Sequence, residues 1–410
     1  MRTWIRLSTL ATALSLSACA AEAIAPDATG EADEAIINGT VATSNQFAVA
    51  VYHRDNGTWF GRPCTGTLIG TSNGTAYILT AYHCVNLVSQ LDDVRLTTAL
   101  APGRINGQPP SSWIVPNGIA FPLDAGVNTD TDYAVVTAQD SAALRSGLVA
   151  ASVTDRPALY MGSTADMVGW NLRAYGYGRA TLCDPNINDS LCNTEDPNSG
   201  VGILRTAEFF RVTSGGVQDP SYDYDNRSSV NGAEIYHGDS GGPSVVDFSF
   251  NDRSGVAHRW RVLAGVHRNL VSDVSSPAVP EYVELNMGRL FVSSFMNSGR
   301  ILRSSSNAAG ATLTAASSTA DASSMWRYHW HQPLTNLSGL CIQGSSTVST
   351  PAKLAPCDGS SAQRWVHTAS LQLRNVGLRT CLAYGSGGAV VHQTCATTAE
   401  QAWVFRTDAN

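Results

Sequence analysis

Lysine is nearly missing from this sequence: of its 26 basic residues only Lys353 is a lysine, against 33 acidic residues, for a net charge of −7. We read that scarcity as codon bias. No basic run occurs, which argues against nucleic-acid binding, because phosphates need clustered cations. Charged residues are few at 14% and hydrophobic ones reach 43%, so the bulk of the chain is globular and not disordered. No Cys-x-x-Cys occurs, so zinc and redox centres are not expected, and no metal or cofactor is implied. After the first residues no stretch reaches the roughly 20 apolar positions of a membrane helix.

What is present begins with a signal. Arg2 and Arg6 flank a positive start, and Leu7 to Ala18 is apolar or small, too short to span a bilayer. Leu16-Ser17-Ala18-Cys19 closes it, and two readings stay open. The segment resembles the lipobox of bacterial lipoproteins, which implies that Cys19 carries lipid and attaches the protein to a membrane. Alternatively, cleavage follows Ala18-Cys19-Ala20 under the small-x-small rule. Both readings imply export from a bacterium, to the medium or to the outer envelope. Cys19 aside, the eight remaining cysteines fall into four local pairs: Cys64 with Cys84, Cys183 with Cys192, Cys341 with Cys357, and Cys381 with Cys395. Each closes a short loop, as disulfides of exported proteins do.

Composition divides the chain. Residues 1–19 are the signal peptide, of lipoprotein type if the lipobox reading holds. Residues 20–35 carry five acids and no base, and read as a propeptide or tether. From Ile36 to Arg303, short apolar runs such as Phe47–Tyr52 and Ala76–Leu79 lie between Gly, Asn, Asp and Pro clusters. That pattern predicts many strands, hence barrels or sandwiches. One helix is expected over Asn286–Asn297, where apolar residues recur at helical spacing. Residues 304–325, almost all Ser, Ala, Thr and Gly, read as a flexible linker. In 326–410, Leu340-Cys341-Ile342 recurs as Thr380-Cys381-Leu382, and Gln363-Arg364-Trp365 as Gln401-Ala402-Trp403, which makes an internal repeat.

Three segments between these ends carry chemistry. Leu79-Thr80-Ala81-Tyr82-His83-Cys84 offers an imidazole. Asp132-Tyr133-Ala134-Val135-Val136 offers a carboxylate at the head of an apolar run, which favours Asp132 over Asp124 and Asp130. Gly238-Asp239-Ser240-Gly241-Gly242-Pro243 offers a hydroxyl in a glycine-rich turn. A base, a group to orient it, a nucleophile and close backbone donors are what acyl transfer needs. The order His, Asp, Ser, with intervals of 49 and 108 residues, resembles the trypsin-like serine proteases. The resemblance implies a double six-stranded antiparallel β-barrel that cuts protein or peptide substrates. His83 is then the base, Asp132 its partner and Ser240 the nucleophile, with the N–H groups of Gly238 and Ser240 as the oxyanion hole. It also implies the Cys64–Cys84 disulfide. Ser240 also sits in Gly-x-Ser-x-Gly, the elbow of α/β-hydrolases, but that fold needs the order Ser, Asp, His and a following helix. A catalytically inactive binding protein of protease fold is the rival from another class.

Ile36-Ile37-Asn38-Gly39 resembles the new N-terminus of cut trypsin-like zymogens, whose ammonium pairs with the Asp before the nucleophile, here Asp239. Ala35 stands where many relatives have Arg or Lys, so the activator is not expected to be a trypsin. For substrate preference, Glu234 lies six residues before Ser240, where trypsins carry an acid selecting Lys or Arg. His267, in Ala264-Gly265-Val266-His267, resembles the His of glutamyl endopeptidases that faces a substrate carboxylate. A third arrangement pairs Glu234 with His267. The Cys…Gln-x-Trp repeat resembles ricin-B-like β-trefoil lectins. It implies a glycan as a second partner and a partial trefoil, since two repeats are visible where three are usual. The sugar-binding Asp of that family is Gln343 in one repeat and Ala383 in the other, and the tryptophans are expected in the core.

Overall fold

The computed structural model describes residues 4–6, 36–37, 39–122 (without 56, 60–62, 87, 89, 104 and 106), 132–149, 156–178, 201–215, 221–225, 233–235, 238–267, 273–275 and 290–407 (without 318–320, 329 and 330). The expectations for Cys19 and for residues 20–35 lie outside the described residues. So does the disulfide expected between Cys183 and Cys192, since neither Cys183 nor Cys192 is among them. The other three expected disulfides are formed, Cys64–Cys84, Cys341–Cys357 and Cys381–Cys395.

Alternation in the sequence becomes strand pleat. Asn171–Gly176, for example, buries Leu172, Ala174 and Gly176 and turns Asn171, Arg173 and Tyr175 outward. The main strands of the first half are β1 (Ala48–Asp55), β2 (Cys64–Ser72), β3 (Thr75–Thr80), β4 (Val94–Thr97), β5 (Gly118–Pro122) and β6 (Ala134–Gln139), with the short strand Thr58–Trp59 paired to the end of β1. They pair antiparallel in the order β5-β6-β3-β2-β1-β4 around Val49, Leu68, Ile78, Leu96 and Val136. A short strand, Trp4–Arg6, lies along β5.

The second half holds β7 (Ala158–Leu159), β8 (Asn171–Gly176), β9 (Arg205–Gly215), β10 (Ser221–Asp225), β11 (Pro243–Asn251), β12 (Ala257–His267) and β13 (Asp273–Ser275). Pairing runs β8-β9-β10-β13-β12-β11 and back to β8, a closed antiparallel ring of six strands. β7 stands outside that ring, parallel to β12.

The C-terminal part repeats three times, not twice. The first repeat is β14 (Phe291–Ser294), β15 (Asn297–Ser304), β16 (Leu313–Ser317) and β17 (Trp326–Arg327). The second is β18 (Thr335–Asn336), β19 (Leu340–Gln343), β20 (Lys353–Pro356) and β21 (Trp365–His367). The third is β22 (Leu373–Asn375), β23 (Thr380–Tyr384), β24 (Val390–Thr394) and β25 (Trp403–Arg406). Trp326, Trp365 and Trp403 are fully buried. Their indole N–H groups donate to equivalent carbonyls, Leu302 at 2.9 Å, Ile342 at 3.1 Å and Leu382 at 3.0 Å. β14 pairs with β25, closing the trefoil.

Besides the partial, two-repeat trefoil, two further expectations are corrected. Residues 304–325 are not a free linker: they hold the end of β15 and all of β16. Small residues let the three hairpins meet near the trefoil axis, where Leu313 N–H donates to Ala352 O and Ala352 N–H to Val390 O, both at 2.8 Å. Nor does Asn286–Asn297 form a helix among its described residues. Leu290 to Phe295 are all buried and β14 runs through them. A run buried on both faces has no period of its own, so chance spacing imitates a helix. We place the start of the trefoil at Leu290.

The trefoil is joined to the second barrel by more than chain connection. β7 pairs with β12 on one edge and with β25 on the other. The buried His367 accepts from Met161 N–H at 3.1 Å through Nδ1 and donates to Trp403 O at 3.0 Å through Nε2. Trp260 Nε1 donates to Phe295 O at 2.9 Å, and Thr407 Oγ1 to Ile69 O at 2.6 Å. One hydrophobic cluster runs from Phe47, Leu159 and Leu263 to Trp326, Trp403 and Phe405.

Candidate active site

The site forms where the ends of β3 and β6 meet the turn before β11. β3 runs into a 3-10 turn, Tyr82–Cys84, that presents His83. Cys84 is bonded to Cys64 at the start of β2, with Cα atoms 6.1 Å apart, so the turn cannot swing away from its sheet. Asp132 lies just before β6, the neighbour of β3. Its carboxylate takes His83 at two points: Oδ1 accepts the backbone N–H at 2.9 Å and Oδ2 faces Nδ1 at 2.7 Å. Two charge-assisted contacts from one carboxylate fix both the position and the ring orientation of the imidazole.

Ser240 sits on the turn that feeds β11. Gly238 and Gly241 have φ of +86° and +79°, a region costly for any residue with a Cβ. A side chain at Gly241 would also overlap Thr65 O and Thr80 Oγ1. The turn is closed by Gly242 N–H to Asp239 O at 2.7 Å, Gly241 N–H to His267 O at 2.6 Å and His267 N–H to Gly242 O at 2.9 Å. Thr65, next to the disulfide, pins it to the first barrel: Thr65 N–H donates to Ser240 O at 2.9 Å and Thr65 Oγ1 to Gly238 O at 3.0 Å. Cys84 Sγ lies 3.7 Å from Ser240 O. The same corner thus holds the imidazole segment and the serine turn, half-exposed at Ser240.

Asp239 is fully buried. Its Oδ1 receives Gly178 N–H at 3.4 Å and occupies the space a Cβ of Gly176 would need. Ile36 is buried too, and Ile37 exchanges two backbone hydrogen bonds with Glu234, at 2.8 and 3.1 Å. Glu234 is half-buried, and among the described residues nothing joins its side chain to His267, so the arrangement that pairs those two is not formed. His267 is 1% exposed, with Nε2 3.5 Å from Ser244 Oγ and Nδ1 without a partner. Burial pushes its pKa down to about 3, partly offset by the Pro243 backbone, so the imidazole is neutral through the mildly acidic range.

Cys64, His83 and Cys84 bring sulfur and nitrogen atoms within 4.8 Å of one another, residue types that ligate zinc. With both sulfurs in a disulfide the cluster offers no thiolate, the ligating form.

A family model described as Trypsin matches residues 36–267, more than half of the chain. The chain belongs to the trypsin family. A second model, the ricin-type beta-trefoil lectin domain, matches residues 330–410 of this trypsin-family chain, leaving the first of the three repeats outside the match. Among solved structures, the crystal structure of the designed 3-fold symmetric protein ThreeFoil is similar at 15% identity and a TM-score of 0.26, covering 29% of this chain and 98% of its own. No match was found among curated proteins.

Thr65 escaped the sequence reading, since its role depends on contacts to residues 173 and 175 positions away. Its place beside Cys64 is the only signal the sequence holds.

Proposed function

We propose that this protein is an exported serine endopeptidase working through His83, Asp132 and Ser240. The observation that carries the reading is the two-point grip of Asp132 on His83, beside a Ser240 turn pinned to the same disulfide corner. With the Nδ1 proton directed to Asp132, Nε2 is left to accept the Ser240 hydroxyl proton. Oγ attacks the scissile carbonyl carbon, and the Gly238 and Ser240 N–H groups take the developing oxyanion. Collapse breaks the C–N bond, the imidazolium protonates the leaving amine, and an acyl ester remains on Ser240. Water repeats the sequence and releases the acid.

Disulfides Cys64–Cys84, Cys341–Cys357 and Cys381–Cys395 fit an oxidising compartment. A fourth, between Cys183 and Cys192, belongs to the same reading and is part of the proposal. Among the described residues no helix is long and apolar enough to cross a membrane. Lipid on Cys19 would then be the attachment. The lectin module supports a glycan as second partner. Gln343 already accepts from Gln363 Nε2 at 2.9 Å and Ala383 is buried, so that glycan site does not rest on those two positions.

A fluorophosphonate probe tests the reading against the inactive-homologue alternative. One label per chain is expected, recovered on the peptide containing Ser240 and lost in His83→Ala. A folded chain that takes no label would leave the protein a binding protein of protease fold.

Glu234 is our choice of selector, for Arg and Lys substrates, because a half-buried carboxylate unpaired with His267 can meet a substrate cation. Glu234→Gln should cut Arg and Lys cleavage in a peptide library by roughly 10²-fold. An unchanged profile would move the assignment to His267. Because burial holds His267 neutral to about pH 3, cleavage after acidic residues should not rise between pH 7 and 5, contrary to the gain that a charged imidazole implies.

A further inference from the structure

An oxyanion hole works only if its donors are aimed before the charge appears. The two donors assigned above, the N–H groups of Gly238 and Ser240, sit on a turn whose first residue is a glycine with φ of +86°. Glycine has no Cβ to keep its flanking peptides from rotating, so its orientation has to be imposed by neighbours. The bonds that close the turn run through Asp239 O and Gly241 N–H. The Gly238 carbonyl is held from the other barrel, by Thr65.

Thr65 is completely buried on β2, and each of its polar groups is engaged. Its N–H donates to Ser240 O at 2.9 Å. Its carbonyl accepts from Thr80 Oγ1 at 2.8 Å, at the end of the strand that leads to His83. Its hydroxyl makes two bonds at once: Oγ1 accepts from Tyr177 N–H at 2.9 Å and lies 3.0 Å from Gly238 O. An amide N–H only donates and a carbonyl only accepts, so the single hydroxyl proton is directed to Gly238 O. Tyr177, just past β8, is itself buried and anchored by its own hydroxyl to Ala99 O at 2.9 Å. The β-branch of threonine restricts χ1, so the hydroxyl does not wander between partners. Thr65 therefore grips the carbonyls of the same two residues whose N–H groups meet the oxyanion. The peptide that bears the Ser240 N–H lies between the two gripped peptides, and the one that bears the Gly238 N–H is a single Cα away.

We propose that Thr65 is a positioning residue for the oxyanion hole, its hydroxyl holding the Gly238 carbonyl so that the Gly238 and Ser240 N–H groups converge on one point. The inference rests on the serine-protease reading above. Thr65 acts through the turn, so its contribution belongs to the tetrahedral intermediate and not to ground-state binding.

Thr65→Val keeps the shape of the side chain and both backbone bonds but removes the hydroxyl. It should lower kcat by roughly 10²-fold, the scale of a compromised oxyanion donor, with KM within about threefold of wild type. A peptide trifluoromethyl ketone reads the hole directly. Ser240 Oγ bonds to its carbonyl carbon, the hydroxyl proton passes to His83, and the π pair of the carbonyl becomes the oxyanion. Its affinity should fall by the same factor as kcat. Thr65→Ser, which retains the donor and the acceptor, should keep kcat within about fivefold of wild type. A folded Thr65→Val with wild-type kcat, a KM that rises as much as kcat falls, or a ketone affinity that does not follow kcat would overturn the proposal. So would a folded Thr65→Ser that loses kcat by about 10²-fold, an outcome that decides the matter even if Thr65→Val does not fold. Failure of the wild type to take the fluorophosphonate label would instead strike at the serine-protease reading itself.

Discussion

Ser240→Ala is expected to lower peptide turnover by about 10⁶, because members of a triad act as a unit and the loss of one removes the covalent route altogether. The fold should be untouched. Ser240 contributes its carbonyl to Thr65 N–H, and that bond belongs to the backbone, so alanine keeps it. The glycines that shape the turn also remain. Melting temperature and near-ultraviolet circular dichroism of the variant should therefore match the wild type, and only kcat should collapse. His83→Ala should be as severe in kcat, while also releasing the ring's contact to Asp132. Substantial residual activity in pure Ser240→Ala enzyme would reject Ser240 as nucleophile.

Removing residues 290–407 should abolish the folded protease altogether. The hydrophobic cluster that contains Leu159, Met161 and Val266 is completed by Leu290, Trp403 and Phe405. Truncation would leave β7 with one free edge, Met161 N–H without the His367 ring, and Ile69 O without Thr407. Uncovered apolar surface and orphaned polar groups both destabilise, by more in sum than a typical domain's net stability of about 5–15 kcal/mol allows. The shortened chain should be insoluble or molten and take no fluorophosphonate label. A milder form of the same test is Phe405→Ala, which should cost about 3–5 kcal/mol. Calorimetry should show that loss in one shared transition, not in a separate trefoil peak. A soluble, cooperatively folding fragment that still labels at Ser240 would refute the shared core.

The contrast between what was legible in the sequence and what was not follows the range of the interactions. His83 and Ser240 stand in short segments whose neighbours, Cys84 and the glycines, are themselves demanded by local geometry. The apolar run after Asp132 pointed to the carboxylate that the fold does bring against His83. The first trefoil repeat stayed hidden because it is held by other means than its sisters. Gln363 and Gln401 tie their turns, each donating at 2.9 Å to a strand carbonyl, and disulfides close both repeats. At the matching place the first repeat has Ser324, and its turn is held by Arg303 on Asp321 and Ser323 at 2.9 and 2.8 Å. Only Trp326, 39 residues before Trp365, keeps the period.

The position of β25 has a bearing on when the enzyme can first cut. This strand and Thr407 emerge from the ribosome long after Ser240, yet β7 lacks its outer partner and Ile69 its last hydrogen bond until they arrive. A nascent chain can carry every residue of the proteolytic centre and still hold no finished enzyme. On the serine-protease reading, synthesis order thus acts as a delay, since the shared core is complete only when nearly the whole chain is made.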